Sequence, residues 1–196
     1  MITRRSLLAG CVAVAAVSAF PAIPAFAGEV APMRAGSRLD QLVPLLDPVI
    51  DLHNSNTDER LKVRFYTATG YDPEAIRQLN WFARDWRQGE AVQIDVRLLW
   101  GLAAIRGAGI KDGNEGLIRF NSGYRSRKTN ELLRSEGVGA AVNSFHLTGR
   151  AVDFVLPGAP VEDVAKYAEW LEIGGTGHYK GRFVHIDSGK KRRWFG

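Results

Sequence analysis

Thr176-Gly177-His178-Tyr179-Lys180-Gly181-Arg182-Phe183-Val184-His185-Ile186-Asp187 reads as two short strands, residues 176–179 and 183–187, folded about Lys180-Gly181. Strands joined this tightly pair antiparallel. With the two-residue period of a strand, Phe183, His185 and Asp187 face one way, and Val184 and Ile186 the other. Just before this pair, residues 161–173 carry Val164, Tyr167, Ala168 and Leu171 at helical spacing. Residues 151–156 are apolar and β-prone, a further strand.

The same reading extends toward the N-terminus. Residues 49–53 and 62–67 suggest a hairpin around the polar turn 54–58. Asp72-Pro73 opens a helix as N-cap and first helical residue, with Ile76, Leu79, Phe82 and Trp86 along it and Gly89 closing it. Asp95 opens a second helix, with Val96, Leu99, Trp100 and Ala103 on one face, ended by Gly107 and Gly109. Residues 117–121 form a strand and 127–135 a short helix. Helices alternate irregularly with strands that can pair antiparallel, without a βαβ rhythm. The fold class is α+β, a small, mainly antiparallel sheet with packed helices.

The first residues lie apart from this domain. Arg4-Arg5 precede an apolar run over residues 7–20, and Ala25-Phe26-Ala27 offers the small residues of a cleavage site. This is the layout of an export signal over residues 1–27, cut after Ala27, and the paired arginines resemble the twin-arginine type. Pro21 and Pro24 and the short run argue against a transmembrane segment, so none is expected in the mature chain. Leu8-Ala9-Gly10-Cys11 also resembles a lipoprotein box, but too few apolar residues precede Cys11. Residues 28–38 form a tether, and residues 39–196 a single domain.

Cys11 is the chain's only cysteine. The mature protein therefore has no disulfide, cysteine nucleophile or thiolate metal site, although the periplasm would permit a disulfide. The formal charge is +5, and loss of Arg4 and Arg5 with the signal lowers it to +3. So modest a charge on an exported chain gives no support to nucleic-acid binding. A monomer is expected.

Of the four histidines, three fall in the last third of the chain. His146 precedes Asp153 by seven residues, with Gly149 permitting a turn between them. If the strands bearing Asp153 and His185 are neighbours, His146, Asp153 and His185 can converge. Two imidazoles and a carboxylate suit Zn²⁺ and leave a fourth position open for catalysis. On spacing alone, structural roles are the favoured reading of all three.

Ser144-x-His146-x-x-Gly149-x-Ala151-x-Asp153, followed by a strand with His185, resembles the zinc motif of the M15 peptidases, the D-alanyl-D-alanine peptidase family. Ser122-Gly123-Tyr124-Arg125-Ser126 resembles the family's segment whose arginine binds a substrate carboxylate. Tyr71-Asp72-Pro73-Glu74, Asn80-Trp81-Phe82-Ala83-Arg84-Asp85-Trp86-Arg87 and Phe183-Val184-His185-Ile186-Asp187 resemble the DUF882, or YcbK-like, branch, which includes a murein endopeptidase.

The resemblance implies a hedgehog/D,D-peptidase-like fold. It implies zinc held by His146, Asp153 and His185, with Arg125 and Ser144 binding substrate, and peptidoglycan peptides as the partner in the periplasm. Many M15 enzymes carry an acid or histidine two or three residues before the last ligand. Here Phe183 and Arg182 stand there, and neither can take a proton. The remaining proton-transfer candidates are His178, favoured by its native pKa, and Asp187, whose other expected role is to orient His185. The alternative is a wall-binding module that keeps the metal and has lost hydrolysis.

Overall fold

A computed structural model of the chain describes residues 36–196. The export signal expected over residues 1–27, and the tether up to residue 35, lie outside the described residues. The end of the tether belongs to the folded unit. Ser37 Oγ accepts the Asp40 N–H and caps helix α1 (Arg38–Leu42), and Arg38 donates to the Trp170 carbonyl. Leu39 is fully buried.

Strands β1 (Val49–Asn54) and β2 (Glu59–Arg64) form the expected hairpin, and β3 (Tyr66–Thr67) and β4 (Gly70–Tyr71) form a small ribbon. The second hairpin strand starts three residues earlier than expected. It lies at the sheet edge, and its charged residues blur the alternation that would mark it in the sequence.

Helix α2 (Pro73–Phe82) starts as expected, with the Asp72 carboxylate accepting the N–H groups of Glu74 and Ala75. It ends seven residues short of Gly89 because Asp85 leaves the helix to build a turn. The Asp85 carboxylate, 2% exposed, accepts the N–H groups of Arg87 and Ser126, and its own N–H bonds the Glu90 carbonyl. Burial pushes this carboxyl up, but the hydrogen bonds it accepts outweigh that and lower its pKa. The turn thereby fixes the segment leading to Arg125, as does the bond from the Tyr124 N–H to the Ala83 carbonyl at 2.8 Å.

Helix α3 (Val96–Lys111) runs through Gly107 and Gly109, which were expected to end it. It is buried on almost every side, so a glycine costs less than a clash. A Cβ at Gly109 would stand 2.7 Å from Leu156 Cδ2.

Then follow β5 (Ile118–Ser122), α4 (Arg127–Ser135), β6 (Ala151–Val155), α5 (Val161–Leu171), β7 (Gly175–Tyr179), β8 (Phe183–Asp187) and β9 (Arg192–Phe195). The last strand was not anticipated. Its start lies in the basic cluster 190–193.

Seven strands form one sheet in the order β2-β1-β5-β6-β8-β7-β9. Pairs β1–β2, β5–β6, β6–β8 and β8–β7 are antiparallel, and β1–β5 and β7–β9 are parallel. The architecture is α+β with a mainly antiparallel sheet. Among the described residues no helix is long and apolar enough to cross a membrane.

Register divides the sheet into two faces, because opposed residues point the same way. One row runs Phe120, Phe154, Val184, His178, Phe195 from β5 to β9; its first three members are in the core, where α5 packs on β7 and β8. The neighbouring row, on the opposite face, runs Ser122, Asp153, His185, Gly177, Trp194.

Candidate metal centre

Asp153 and His185 are direct cross-strand partners on β6 and β8. His146 reaches them from a 3-10 turn, Phe145–Thr148. Ser144 opens that turn, its Oγ accepting the His146 N–H at 3.3 Å. Gly149 closes it at φ 67°, and a Cβ there would stand 2.5 Å from the Gln93 carbonyl oxygen. Both backbone and space demand glycine. The chain then doubles back into β6.

The ring nitrogens are assigned by their partners. His146 Nδ1 lies 2.6 Å from the Gly123 carbonyl, which can only accept, so Nδ1 carries hydrogen and Nε2 presents a lone pair. That Nε2 is 3.3 Å from Asp153 Oδ2 and 3.3 Å from His185 Nδ1. His185 Nδ1 is 2.8 Å from Asp153 Oδ1, while its Nε2 faces Asp187 Oδ2 at 3.3 Å. One donor atom from each of the three residues lies within 4.8 Å of the other two.

Electrostatics match. Burial lowers the His146 pKa and outweighs the pull of Asp153, which favours the neutral ring a metal needs. Burial also opposes ionised Asp153, but its interactions with His146 and His185 hold the carboxyl well below the usual range. Burial would lower His185, yet hydrogen bonds to Asp153 and Asp187 raise it. His185 Nδ1, Asp153 Oδ1 and Oδ2 and His146 Nε2 face one another. Two imidazole nitrogens and a carboxylate, each ring anchored through its other nitrogen, fit zinc.

Behind His185 stands Asp187, the residue expected to orient it, backed by two residues of β9 that sequence reading missed. Asp187, fully buried, accepts the N–H groups of Gly175 and Gly189, and Arg192 clasps it with two N–H groups at 3.0 and 2.7 Å. Trp194 lies 5.1 Å from the His185 ring, centre to centre. Both side chains belong to β9 and must cross β7 to arrive. They can because β7 carries glycine at both crossings. A Cβ at Gly175 would stand 2.5 Å from Arg192 Nη1, and one at Gly177 would stand 2.7 Å from the Trp194 indole. The signal was present as Gly-x-Gly and Arg-x-Trp, both of period two. Gly177→Ala should displace Trp194 at a cost of ~1–3 kcal/mol. It should also weaken metal binding several-fold, as read by metal titration and thermal melting. An unchanged metal affinity would show that the indole does not hold His185.

The remaining expected site residues divide. Arg125 is beside the trio, giving Nη2 to Asp153 Oδ2 and Nε to Ser122 Oγ. Ser144 and Arg125 line a cleft of about 560 Å³ together with the trio. His178 is not there. It follows Gly177 on β7, so its ring points through to the opposite face, 3.9 Å from Glu169 of α5 and packed on Phe195. The proton-transfer role expected for His178 is corrected by this placement. His53 bonds Asp58 at the β1–β2 turn and does not line the cleft.

A larger hollow of about 880 Å³ lies between the end of α3 and the start of α5, with no histidine on its walls. Donor chemistry, rather than size, marks the smaller cleft as the site.

A peptidase M15 family model described as peptidoglycan L,D-endopeptidase MepK matches residues 47–194. The peptidoglycan L,D-endopeptidase MepK of Escherichia coli K12 is 36% identical over 147 residues, 74% of this chain and 79% of that protein. The probable peptidoglycan L,D-endopeptidase MepK of Haemophilus influenzae is 35% identical over 150 residues, 76% of this chain and 79% of that protein. No solved structure matches the chain significantly.

Proposed function

This chain belongs to the M15 peptidases, in their MepK branch, and on that premise we propose that it hydrolyses amide bonds in the stem or cross-link peptides of peptidoglycan, using zinc held by His146, Asp153 and His185. The observation that carries this is the register: Asp153 opposite His185, with His146 turned back onto both. We assign the sheet to the hedgehog/D,D-peptidase type on the strength of family membership. The export signal read in the sequence and the wall substrate of the relatives support a periplasmic location.

Zinc bound there supplies Lewis acidity and a nucleophile at neutral pH. The chain's own residues do the rest. Arg125 spends two of its five N–H groups on Asp153 and Ser122 and keeps others for a substrate carboxylate. Ser144 accepts a backbone N–H, which leaves its hydroxyl hydrogen to donate to a bound peptide. Asp187, Arg192 and Trp194 position His185.

A second reading, a wall-binding module without hydrolysis, draws on one observation. Outside the trio, no acid or imidazole lines the cleft among the described residues. Purified mature protein incubated with muropeptides separates the two readings. Cleavage should track metal content, stop on chelation and return when zinc is restored. Bound muropeptide without product at full metal occupancy would sink the peptidase reading.

A further inference from the structure

Four arginines line the cleft, and Asp153 is the single carboxylate among the lining residues. Two of the four are neutralised, Arg125 by Asp153 and Arg192 by Asp187. Arg87 and Arg182 have no carboxylate within ion-pair distance among the described residues. Each lies instead against a neighbouring ring. Arg87 Cζ is 4.3 Å from the Trp86 ring centre, and Arg182 Cζ is 5.6 Å from that of Phe183. Stacking occupies the flat face of a guanidinium and leaves its edge N–H groups free for a planar acceptor. It also orients the side chain beforehand, so less freedom is lost on binding.

The two arginines come from different parts of the fold. Arg87 comes from the turn after α2 and shares a hollow with Asn121 of β5. Arg182 comes from the turn between β7 and β8. The sheet order sets β6 and β8, which carry Asp153 and His185, between them. A cleft with two uncompensated cations on its walls concentrates anions.

We propose that Arg87 and Arg182 determine specificity in the reaction assigned above, each anchoring one free carboxylate of the substrate, on either side of the scissile amide. The substrate class is then a peptide with an unmodified carboxylate flanking the cut bond on both sides. Its carboxamide counterpart is a poor substrate. The inference rests on the peptidase reading for the word substrate, but its binding consequence stands separately.

The test uses the metal-loaded mature protein and two synthetic cross-linked stem peptides, one with free carboxylates and one with those groups amidated. Wild type, Arg87→Gln and Arg182→Gln are compared by steady-state kinetics and by calorimetric titration, with metal content measured throughout. Each substitution should raise KM and Kd for the carboxylate peptide roughly tenfold, the weight of one charge-assisted hydrogen bond. The change should reside in KM rather than kcat. Wild type should bind the doubly amidated peptide roughly a hundredfold more weakly than the carboxylate peptide, and the substitutions should add nothing on the amidated one. Equal losses on both peptides, no loss on either, or an effect from only one arginine would overturn the two-sided clamp. Absence of turnover by wild type would overturn the peptidase reading alone, and the Kd comparison would still decide the clamp.

Discussion

His185→Ala should give a folded protein with neither metal nor activity. The ring supplies one of three donors, and Asp153 Oδ1 and Asp187 Oδ2 both lean on it, so its loss takes a ligand and unlocks a second. Metal should fall from stoichiometric to background. Hydrolysis should fall by more than the roughly 10–100-fold that follows loss of an outer partner. His178→Ala is the matched control. It should keep both metal and rate, and lose only ~1 kcal/mol of stability as a buried ring that touches Phe195 is removed. Elemental analysis, muropeptide turnover and thermal melting read all three quantities. A His178→Ala protein with full metal and crippled turnover would return that residue to the reaction and contradict its placement on the far face.

Asp187→Ala should be the most damaging change that touches no donor. It removes the acceptor of two backbone N–H groups, of the Arg192 clasp and of the His185 Nε2–H. The cost should be about 3 kcal/mol, the low end for breaking a buried pair, because Arg192 itself reaches water. Metal affinity should drop about 10–100-fold. Acid adds a second reading. Burial pushes the Asp187 carboxyl up, but His185, Arg192 and the Gly189 N–H prevail and hold it at about 2. The folded value lies below the unfolded one of about 3.9, so this stabilisation is fully present above it and is lost as pH falls toward 2. The stability gap between metal-free wild type and Asp187→Asn should therefore be flat near neutrality and close below about pH 4. Urea melts across that range measure it; a gap that widens on acidification would reverse the assignment of charge.

Local signals that the tertiary structure leaves intact were legible. Asp72-Pro73 and Asp95 cap their helices, residues 127–135 form α4, and the period of Phe183-Val184-His185-Ile186-Asp187 places His185 beside Asp153. Signals that depend on a distant partner were not. Asp85 ends α2 because a segment 41 residues on needs its carboxylate. Gly109 sits inside α3 because Leu156 lies against it. His178 looked catalytic by nearness in sequence to His185, yet one residue along a strand is the opposite face of a sheet. Strand β9 was hidden by its charge, since Arg192 and Arg193 read as solvated surface until their partners are seen.

Strand β9 makes the centre vulnerable at a place that holds no ligand. A chain cut between residues 188 and 192 keeps all three donors, with His146 still on the Gly123 carbonyl and Asp153 still beside Arg125. It loses the Arg192 clasp on Asp187 and the indole beside His185. Proteolysis in that short segment would loosen one ligand while leaving the donor set chemically complete.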